Sequence, residues 1–253
     1  AALRDWIHSN HEAVRSRDRA AITAVAMEFD GHIRAVLASR RAGHARARDD
    51  IAAQLLDTKV HGRNLSDEEI VSILRNWTVG ELGTIAASIG ILVAYLAARP
   101  ALQMELRANP GSLPAAIDEI LRIEAPLLTS RRVTTQAVQL EGQALRAGER
   151  VALMWGPANR DGEVFADPDE FRLNRDPALN LLYGGGIHVC PGAPLARMEL
   201  RVFIEALFAH VGHVAPVSGY PPVRADFPAG GFRSVRVALL DRLSNSPVDP
   251  ASR

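Results

Sequence analysis

The stretch that decides the fold of this chain is Tyr183-Gly-Gly-Gly-Ile-His-Val-Cys-Pro-Gly192, which carries Cys190, the only cysteine among 253 residues. A lone cysteine cannot form an internal disulfide, and it lacks the partners of a cysteine-rich zinc or iron–sulfur site. The glycines allow the backbone to approach a flat ligand closely. The segment from Pro194 predicts a helix whose positive end points at the sulfur. One face of that helix carries Leu195, Met198, Val202 and Ala206.

Three roles remain for this thiol: an inert buried side chain, a nucleophile, or a single axial thiolate on haem iron. The glycine-rich loop favours the third role, because a flat ring needs close approach of the backbone. A histidine, His188, stands two residues before the cysteine and adds a basic group to the loop. The loop therefore predicts a haem site.

The same stretch resembles the haem-binding signature of the cytochrome P450 family, in which an aromatic residue, glycines, a basic residue and the ligand cysteine stand at fixed spacing. Tyr183 takes the place of the usual phenylalanine, and the run Ala193–Glu199 is also similar. The resemblance implies haem b with its iron on Cys190. It also implies that the cofactor contacts the matching positions Tyr183, Gly184, Gly186, His188 and Gly192.

The overall composition is that of a globular protein. The chain is 47% hydrophobic and 23% charged, and its formal net charge is zero. This balance argues against a nucleic-acid-binding surface and against a polybasic membrane patch. We expect one partial haem domain over residues 1–243 and a disordered polar tail over residues 244–253. Without a visible secretory signal, the expected location is the cytoplasm.

Periodic apolar residues predict helices in the first part of the chain. They cover Leu3–Ala13, Ser16–Arg41 and Asp49–Leu56. The second helix carries an apolar stripe formed by Ile22, Val25, Ala26, Phe29, Ile33, Val36 and Leu37. An Arg- and Gly-containing loop is predicted at Arg40–Arg48, and a turn at Thr58–Arg63.

The longest predicted helix begins at a capping box formed by Ser66 and Glu69, and it runs to Arg99, where Pro100 ends it. Its half from Leu82 to Ala98 carries no charge. That run falls short of the ~20 residues needed to cross a bilayer, so we predict a buried core helix. The resemblance implies the family's long central helix here, which crosses the distal face of the haem.

In the family this helix carries a small residue, a glycine, any residue, an acid and a threonine, whereas this chain reads Gly80-Glu81-Leu82-Gly83-Thr84. The resemblance implies that Thr84 helps to deliver protons during oxygen activation. Gly83 occupies the position of the acid. Glu81 lies on the same helical face as Thr84, so it is either a substitute catalytic acid or a salt-bridged or solvated residue. The sequence leaves both readings open.

The stretch Asp118–Pro126 contains Glu119 and Arg122 at a spacing that is common on exposed helices and therefore weak evidence alone. Its context resembles the family's Glu-x-x-Arg pair, which is buried and holds the segment before the cysteine loop. Arg175 is where the family has the third member of that network. Since a buried carboxylate needs partners, two arginines on Glu119 are physically reasonable. We expect a structural network rather than a catalytic one.

Alternating apolar residues and a glycine turn predict a strand hairpin between Arg131 and Leu153. The resemblance implies that an arginine at the start of this hairpin pairs with a haem propionate. Arg132 matches that position, with Arg131 as a competitor, and His188 is the second candidate. Gly231–Leu239 predicts a terminal strand that the family folds toward the substrate pocket.

The predicted fold is mainly α with a minor β component, and it resembles a cytochrome P450 fold truncated at the N-terminus. The resemblance implies a haem-thiolate monooxygenase that oxidises a small organic substrate with O2. Two electrons would come from a ferredoxin or a flavin reductase, because the chain shows no flavin or nicotinamide fingerprint. The alternative is a catalytically silent haem-binding protein or a non-functional fragment. We expect neither a nucleic-acid partner nor a membrane partner.

Overall fold

The computed structural model describes residues 2–42 and 50–241, without the side chains of residues 2–4, 8 and 11. The described residues form two compact units, and the boundary between them in the sequence falls between Gly83 and Thr84. Most of the predicted loop Arg40–Arg48 and the predicted tail over residues 244–253 lie outside the described residues. The expectation of one domain over residues 1–243 stays a prediction.

Helices dominate the described part of the chain. They are α1 Ala2–Ser16, α2 Arg19–Arg41, α3 Ile51–Asp57, α4 Asp67–Ala97, α5 Pro100–Ala108, α6 Leu113–Glu124, α7 Trp155–Ala158 and α8 Ala193–His210. The strands are β1 Lys59–Val60, β2 Arg63–Asn64, β3 Thr129–Val133, β4 Val138–Leu140, β5 Gln143–Leu145, β6 Arg150–Met154, β7 His213–Pro216, β8 Val223–Arg224, β9 Phe232–Ser234 and β10 Val237–Leu240. The strands pair only as two-stranded antiparallel sheets within the described ranges.

The first unit packs α1, α2 and α3 with the start of α4. Helix α2 begins at Arg19, three residues later than predicted, because the carboxylate of Asp18 accepts a hydrogen bond from the Ala20 N–H at 2.8 Å and caps the helix. Trp6 stacks on Phe29 with ring centroids 4.2 Å apart. The buried cluster consists of Trp6, Phe29, Ile33, Leu37, Ala52, Ile70 and Val71. Within the predicted stripe of α2 only Phe29, Ile33 and Leu37 are buried, whereas Ile22 and Val36 are exposed.

The segment predicted as a turn at Thr58–Arg63 forms a small hairpin instead. Strands β1 and β2 pair antiparallel, with Lys59 opposite Asn64. His61 and Gly62 form the connection, with φ of 49° and 80°. Two left-handed residues in a two-residue connection match the twist of an antiparallel pair, which explains the hairpin.

The predicted capping box starts α4. The Glu69 N–H donates to Ser66 Oγ at 3.2 Å, and the Ser66 N–H donates to Glu69 Oε2 at 2.8 Å. A hydrogen bond from the Arg63 guanidinium lowers the pKa of Glu69 to about 2, and the bond from Ser66 adds to the shift. These two N–H groups at the helix start therefore have partners.

Helix α4 ends at Ala97 rather than Arg99, and Pro100 becomes the first residue of α5. Proline suits that position, because its missing N–H would have no helical partner there. Helix α4 is long and apolar enough to cross a membrane by length and composition, a test that core helices of globular proteins also pass. Its last part lies in a protein core, where Ile91, Leu92 and Leu96 are fully buried, whereas most of its apolar stretch is only half-buried.

The core of the second unit joins the end of α4 with α5, α6 and α8. Its buried cluster consists of Ile91, Leu92, Tyr95, Leu96, Leu102, Leu106, Leu113, Ala116, Ile117, Ile120, Leu121, Leu200, Ile204 and Phe208. Buried Gln103 donates to the carbonyls of Leu96 and Val214, both at 2.8 Å, and accepts from the Val214 N–H at 3.0 Å. The hydrogen bonds of the Gln103 side chain thus connect β7 to α5.

The predicted hairpin between Arg131 and Leu153 is present in extended form, since β3 pairs with β6 and an inner hairpin joins β4 to β5. The predicted terminal strand Gly231–Leu239 is divided into two strands. Strand β9 pairs with β8, whereas β10 pairs with β7. The break arises because the two halves have different partners.

The candidate haem-thiolate site

The loop before Cys190 is closed by its own backbone. The Cys190 N–H donates to the Tyr183 carbonyl at 2.8 Å, and the Val189 N–H donates to the Gly186 carbonyl at 3.2 Å. Gly184 and Gly186 have φ of 72° and 62°. Because side chains rarely adopt this left-handed conformation, the tight loop depends on glycine at both positions.

Helix α8 begins directly after the cysteine. Gly192 is its N-cap, and the Ala193 N–H donates to the Cys190 carbonyl at 3.2 Å. Cys190 is half-buried and has no disulfide partner. The loop thus places Cys190 two residues before the N-cap of an 18-residue helix.

Two apolar residues that precede Cys190 in the chain are exposed. Ile187 is 96% exposed and Val189 is 54% exposed. In the described ranges, no cluster of three or more His, Cys, Asp or Glu side chains could hold a metal ion. A single cysteine near exposed apolar side chains suits a flat apolar ring that carries its own metal. The residues present therefore fit a haem group.

The apolar face of α8 that the sequence predicts from Leu195 is not the packed one. Leu195, Met198, Val202 and Ala206 are exposed. The helix packs through Leu200, Ile204 and Phe208, which join the core cluster of the second unit. Both faces are apolar, so periodicity alone could not identify the face that is covered here.

The candidate propionate partners lie on different elements. Half-buried Arg132 is on β3 opposite Val151, and its guanidinium donates to the Arg131 carbonyl at 2.8 Å. Exposed His188 ends a short 3-10 turn in the cysteine loop. Among the described residues, no hydrogen bond or ion pair joins Arg132 to His188. Both side chains are accessible to an added anionic group.

The candidate oxygen-activating residues lie in the middle of α4. Glu81 and Thr84 are half-buried, and each has a polar or electrostatic partner. Gly83, at the position of the missing acid, has open space around it: a Cβ there would meet no atom within 4 Å. The structure therefore has room for a side chain at residue 83.

Glu119 lies between two arginines. Arg122 donates to its carboxylate through Nε at 2.7 Å and through a terminal nitrogen at 2.9 Å. Arg175 Nε donates to the same carboxylate at 2.9 Å. The Arg172 N–H adds a bond at 3.1 Å. The side chains of Glu119 and Arg122 are 5% and 1% exposed, so their charges are compensated mainly by protein groups rather than by water.

The two arginines also hold the irregular segment 159–183, which we call the meander. Arg122 donates to the carbonyls of Asn159 and Pro168 at 2.6 and 2.8 Å. Arg175 donates to three further carbonyls, those of Ala166, Asp167 and Glu170. With little regular structure of its own, the meander satisfies these carbonyls through guanidinium groups.

Sequence reasoning did not assign a role to the residues that hold the end of the meander. Asn159 Oδ1 accepts from the Leu181 N–H at 2.8 Å, and Asn180 Nδ2 donates to the Asp118 carbonyl at 3.2 Å. Arg197 Nε donates to Asp118 Oδ2 at 3.0 Å. These contacts join residues 22 to 79 positions apart, so no local pattern could reveal them.

Comparison with known proteins gives the same family throughout. The family model for cytochrome P450 matches residues 111–216. The chain is 36% identical over 192 residues to cyclomarin C epoxidase CymV of Salinispora arenicola, covering 76% of this chain and 48% of that protein. It is 31% identical over 215 residues to linalool 8-monooxygenase of Pseudomonas putida, covering 85% of this chain and 52% of the relative.

The fold agrees with these relatives. The crystal structure of CYP109E1 from Bacillus megaterium in complex with testosterone matches with a TM-score of 0.82 and 27% identity, over 93% of this chain and 64% of that one. The chain thus spans about half the length of the curated relatives it matches. Because the cysteine loop, the fold and these similar proteins all agree, the chain belongs to the cytochrome P450 family and covers the C-terminal part of its catalytic domain.

Proposed function

We propose that the protein to which this chain belongs is a cytoplasmic haem-thiolate monooxygenase that oxidises a small organic substrate. It would use O2 and two electrons from a ferredoxin or a flavin reductase. The observation that carries the proposal is Cys190 just before α8, in a closed glycine loop with exposed apolar residues. Relatives named as an epoxidase and a monooxygenase support it.

In this proposal each group of residues has a distinct task. Bound haem would supply the oxidising chemistry. Cys190, as thiolate, ligates the iron and donates electron density to it. Arg132 and His188 bind the propionates. Tyr183, Gly184, Gly186 and Gly192 shape the loop against the ring.

Thr84 and Glu81 hold and transfer protons, in the role that the family gives to its threonine and acid. The residues are three positions apart on α4, a spacing that brings side chains to one helical face. Glu119, Arg122 and Arg175 have no chemical step in this proposal, and they hold the meander that leads into the cysteine loop.

Replacing the ligand tests the proposal directly. After reconstitution with haem, we expect the reduced, CO-bound Soret band of Cys190→Ser to move to shorter wavelength than that of the parent, because serine supplies no thiolate. His188→Gln is the matched control, since it keeps the thiol and should keep the band position while lowering haem occupancy. Identical band positions in Cys190→Ser and the parent would show that Cys190 is not the ligand.

Glu81→Gln should raise the uncoupling of reductant consumption from product formation severalfold in the complete enzyme. Because the family's acid is replaced by Gly83, loss of the Glu81 carboxyl would remove the remaining side-chain proton donor of this segment. Product and reductant are measured together at saturating substrate. Unchanged coupling in Glu81→Gln with strong impairment in Thr84→Ala would make Glu81 a bystander.

A rescue variant sharpens this test. A side chain at residue 83 meets open space, so Gly83→Asp can be added without a clash. In the Glu81→Gln background it should restore part of the coupling, because it returns a carboxyl to the family's position. Gly83→Asn, which has the same size and no carboxyl, should restore none.

A further inference from the structure

Two buried polar atoms of the second unit have no hydrogen-bond partner among the described residues, and both lie beside the cysteine loop. They are Asp118 Oδ1 on α6 and the hydroxyl oxygen of Tyr183. Arg197 touches both residues. Its Nε donates to Asp118 Oδ2 at 3.0 Å, and its guanidinium lies 4.5 Å from the centre of the Tyr183 ring.

The two orphan atoms are complementary. A phenol has a proton to donate, whereas a carboxylate oxygen can only accept. Burial of either atom without a partner carries a free-energy penalty that a shared hydrogen bond removes. A carboxylate and a phenol that contact the same guanidinium can therefore satisfy each other.

We propose that the Tyr183 hydroxyl donates a hydrogen bond to Asp118 Oδ1, directly or through one enclosed water, and that this bond makes Tyr183 a positioning residue for Cys190. The link to the cysteine is on the backbone, where the Tyr183 carbonyl accepts the Cys190 N–H at 2.8 Å. The bond would thus tie α6 to the start of the loop, whose first residue is itself hydrogen-bonded to Cys190. Arg197, on α8, contacts both Asp118 and Tyr183.

The electrostatics of the pair agree with this direction of donation. Burial raises the pKa of Tyr183, and the nearby Asp118 carboxylate raises it further, so the phenol keeps its proton. Burial also raises the pKa of Asp118, an effect that Arg197 opposes.

The bond would be a second connection between the same two regions of the chain. Asn180 Nδ2 already donates to the backbone carbonyl of Asp118 at 3.2 Å. The first connection holds the end of the meander, and the proposed one holds the start of the cysteine loop. The hydroxyl is also what Tyr183 adds to the phenylalanine usual in the family signature, so the connection belongs to this chain rather than to the signature.

The lone cysteine makes the positioning measurable without haem. A chromogenic aromatic disulfide reacts with the Cys190 thiolate, forms a mixed disulfide and releases a coloured thiolate, and no other residue of the chain can react. In the 253-residue chain we expect Tyr183→Phe to react about threefold to tenfold faster than the parent, as loss of one hydrogen bond would make local opening more frequent. Its urea unfolding midpoint should also fall.

A matched control is available in the same unit. The ring of Tyr220 has a guanidinium, that of Arg236, at the same 4.5 Å, but Tyr220 is an exposed residue. Tyr220→Phe should change neither the thiol rate nor the midpoint. Asp118→Asn should accelerate the thiol reaction, and adding Tyr183→Phe to it should give little further increase, because both changes break one bond.

The opposite results would overturn the proposal. If the hydroxyl is truly unpaired, Tyr183→Phe removes a buried orphan, and the unfolding midpoint should rise while the thiol rate stays at the parent value. Fully additive effects of Tyr183→Phe and Asp118→Asn would also exclude a shared bond. The functional meaning of positioning Cys190 rests on the proposed haem ligation. The thiol rate and the unfolding midpoint are measured without haem. A failure of the proposed hydrogen bond can therefore be distinguished from a failure of the proposed haem ligation.

Discussion

Arg122→Ala should lower the free energy of unfolding of the second unit by roughly 3–5 kcal/mol, the cost of breaking a buried ion pair by removing one partner. Arg122 is 1% exposed and donates to the Glu119 carboxylate through two nitrogens. Its loss leaves that carboxylate buried with reduced compensation. It also leaves the carbonyls of Asn159 and Pro168 without their guanidinium donor.

Urea unfolding followed by circular dichroism measures this change. The exposed pair formed by Arg201 and Glu205 on α8 supplies the control, and Arg201→Ala should cost less than about 1 kcal/mol because solvent screens that pair. Equal losses in the two variants would show that the buried network contributes no more than a surface pair. Replacement of Glu119 and Arg122 together by Met should cost less than Arg122→Ala alone.

Gly230→Ala should destabilise the second unit by about 3 kcal/mol, at the upper end for overpacking a close contact. A Cβ on Gly230 would lie 1.9 Å from the Ala125 carbonyl oxygen and 2.9 Å from the Pro126 carbonyl carbon. Both are backbone atoms, so relief requires movement of the chain itself. The hydrogen bond from the Gly230 N–H to the Pro126 carbonyl, 3.2 Å long, would be lost with that movement.

The thermal midpoint of Gly230→Ala compared with the parent checks this expectation. Gly162→Ala is the control in the same unit, since a Cβ there meets no atom within 4 Å, and its midpoint should change little. A parent-like midpoint for Gly230→Ala would mean that the backbone near Ala125 adapts freely. The close approach of residue 230 to that backbone would then not require glycine.

The parts of the structure that were predictable from sequence depend on local contacts. The start of α4 follows from Ser66 and Glu69, three residues apart, and its end near Pro100 follows from the chemistry of one proline. The cysteine loop was predictable because its glycines and Cys190 lie within ten residues. The placement of Arg175 beside Glu119 came from family resemblance and not from any pattern in the residues.

The remaining features depend on contacts between distant positions. The divided terminal strand reflects separate partners for β9 and β10, and pairing partners are not encoded in a strand's own alternation. The need for glycine at residue 230 arises from Ala125, about a hundred residues earlier. The covered face of α8 could not be selected because Leu195 and Leu200 are equally apolar, and only packing distinguishes them.

The dependence of the meander on guanidinium donors has a consequence for folding kinetics. Arg122 reaches the Asn159 and Pro168 carbonyls across 37 and 46 residues of chain. Such contacts stabilise nothing until the loop between them has closed, so the entropy of closure is lost before any bond forms. We therefore expect the meander to order late, after α6 has formed, and to open among the first cooperative segments when stability falls. We expect the cysteine loop, which follows the meander in the chain, to order late and to open early in the same way.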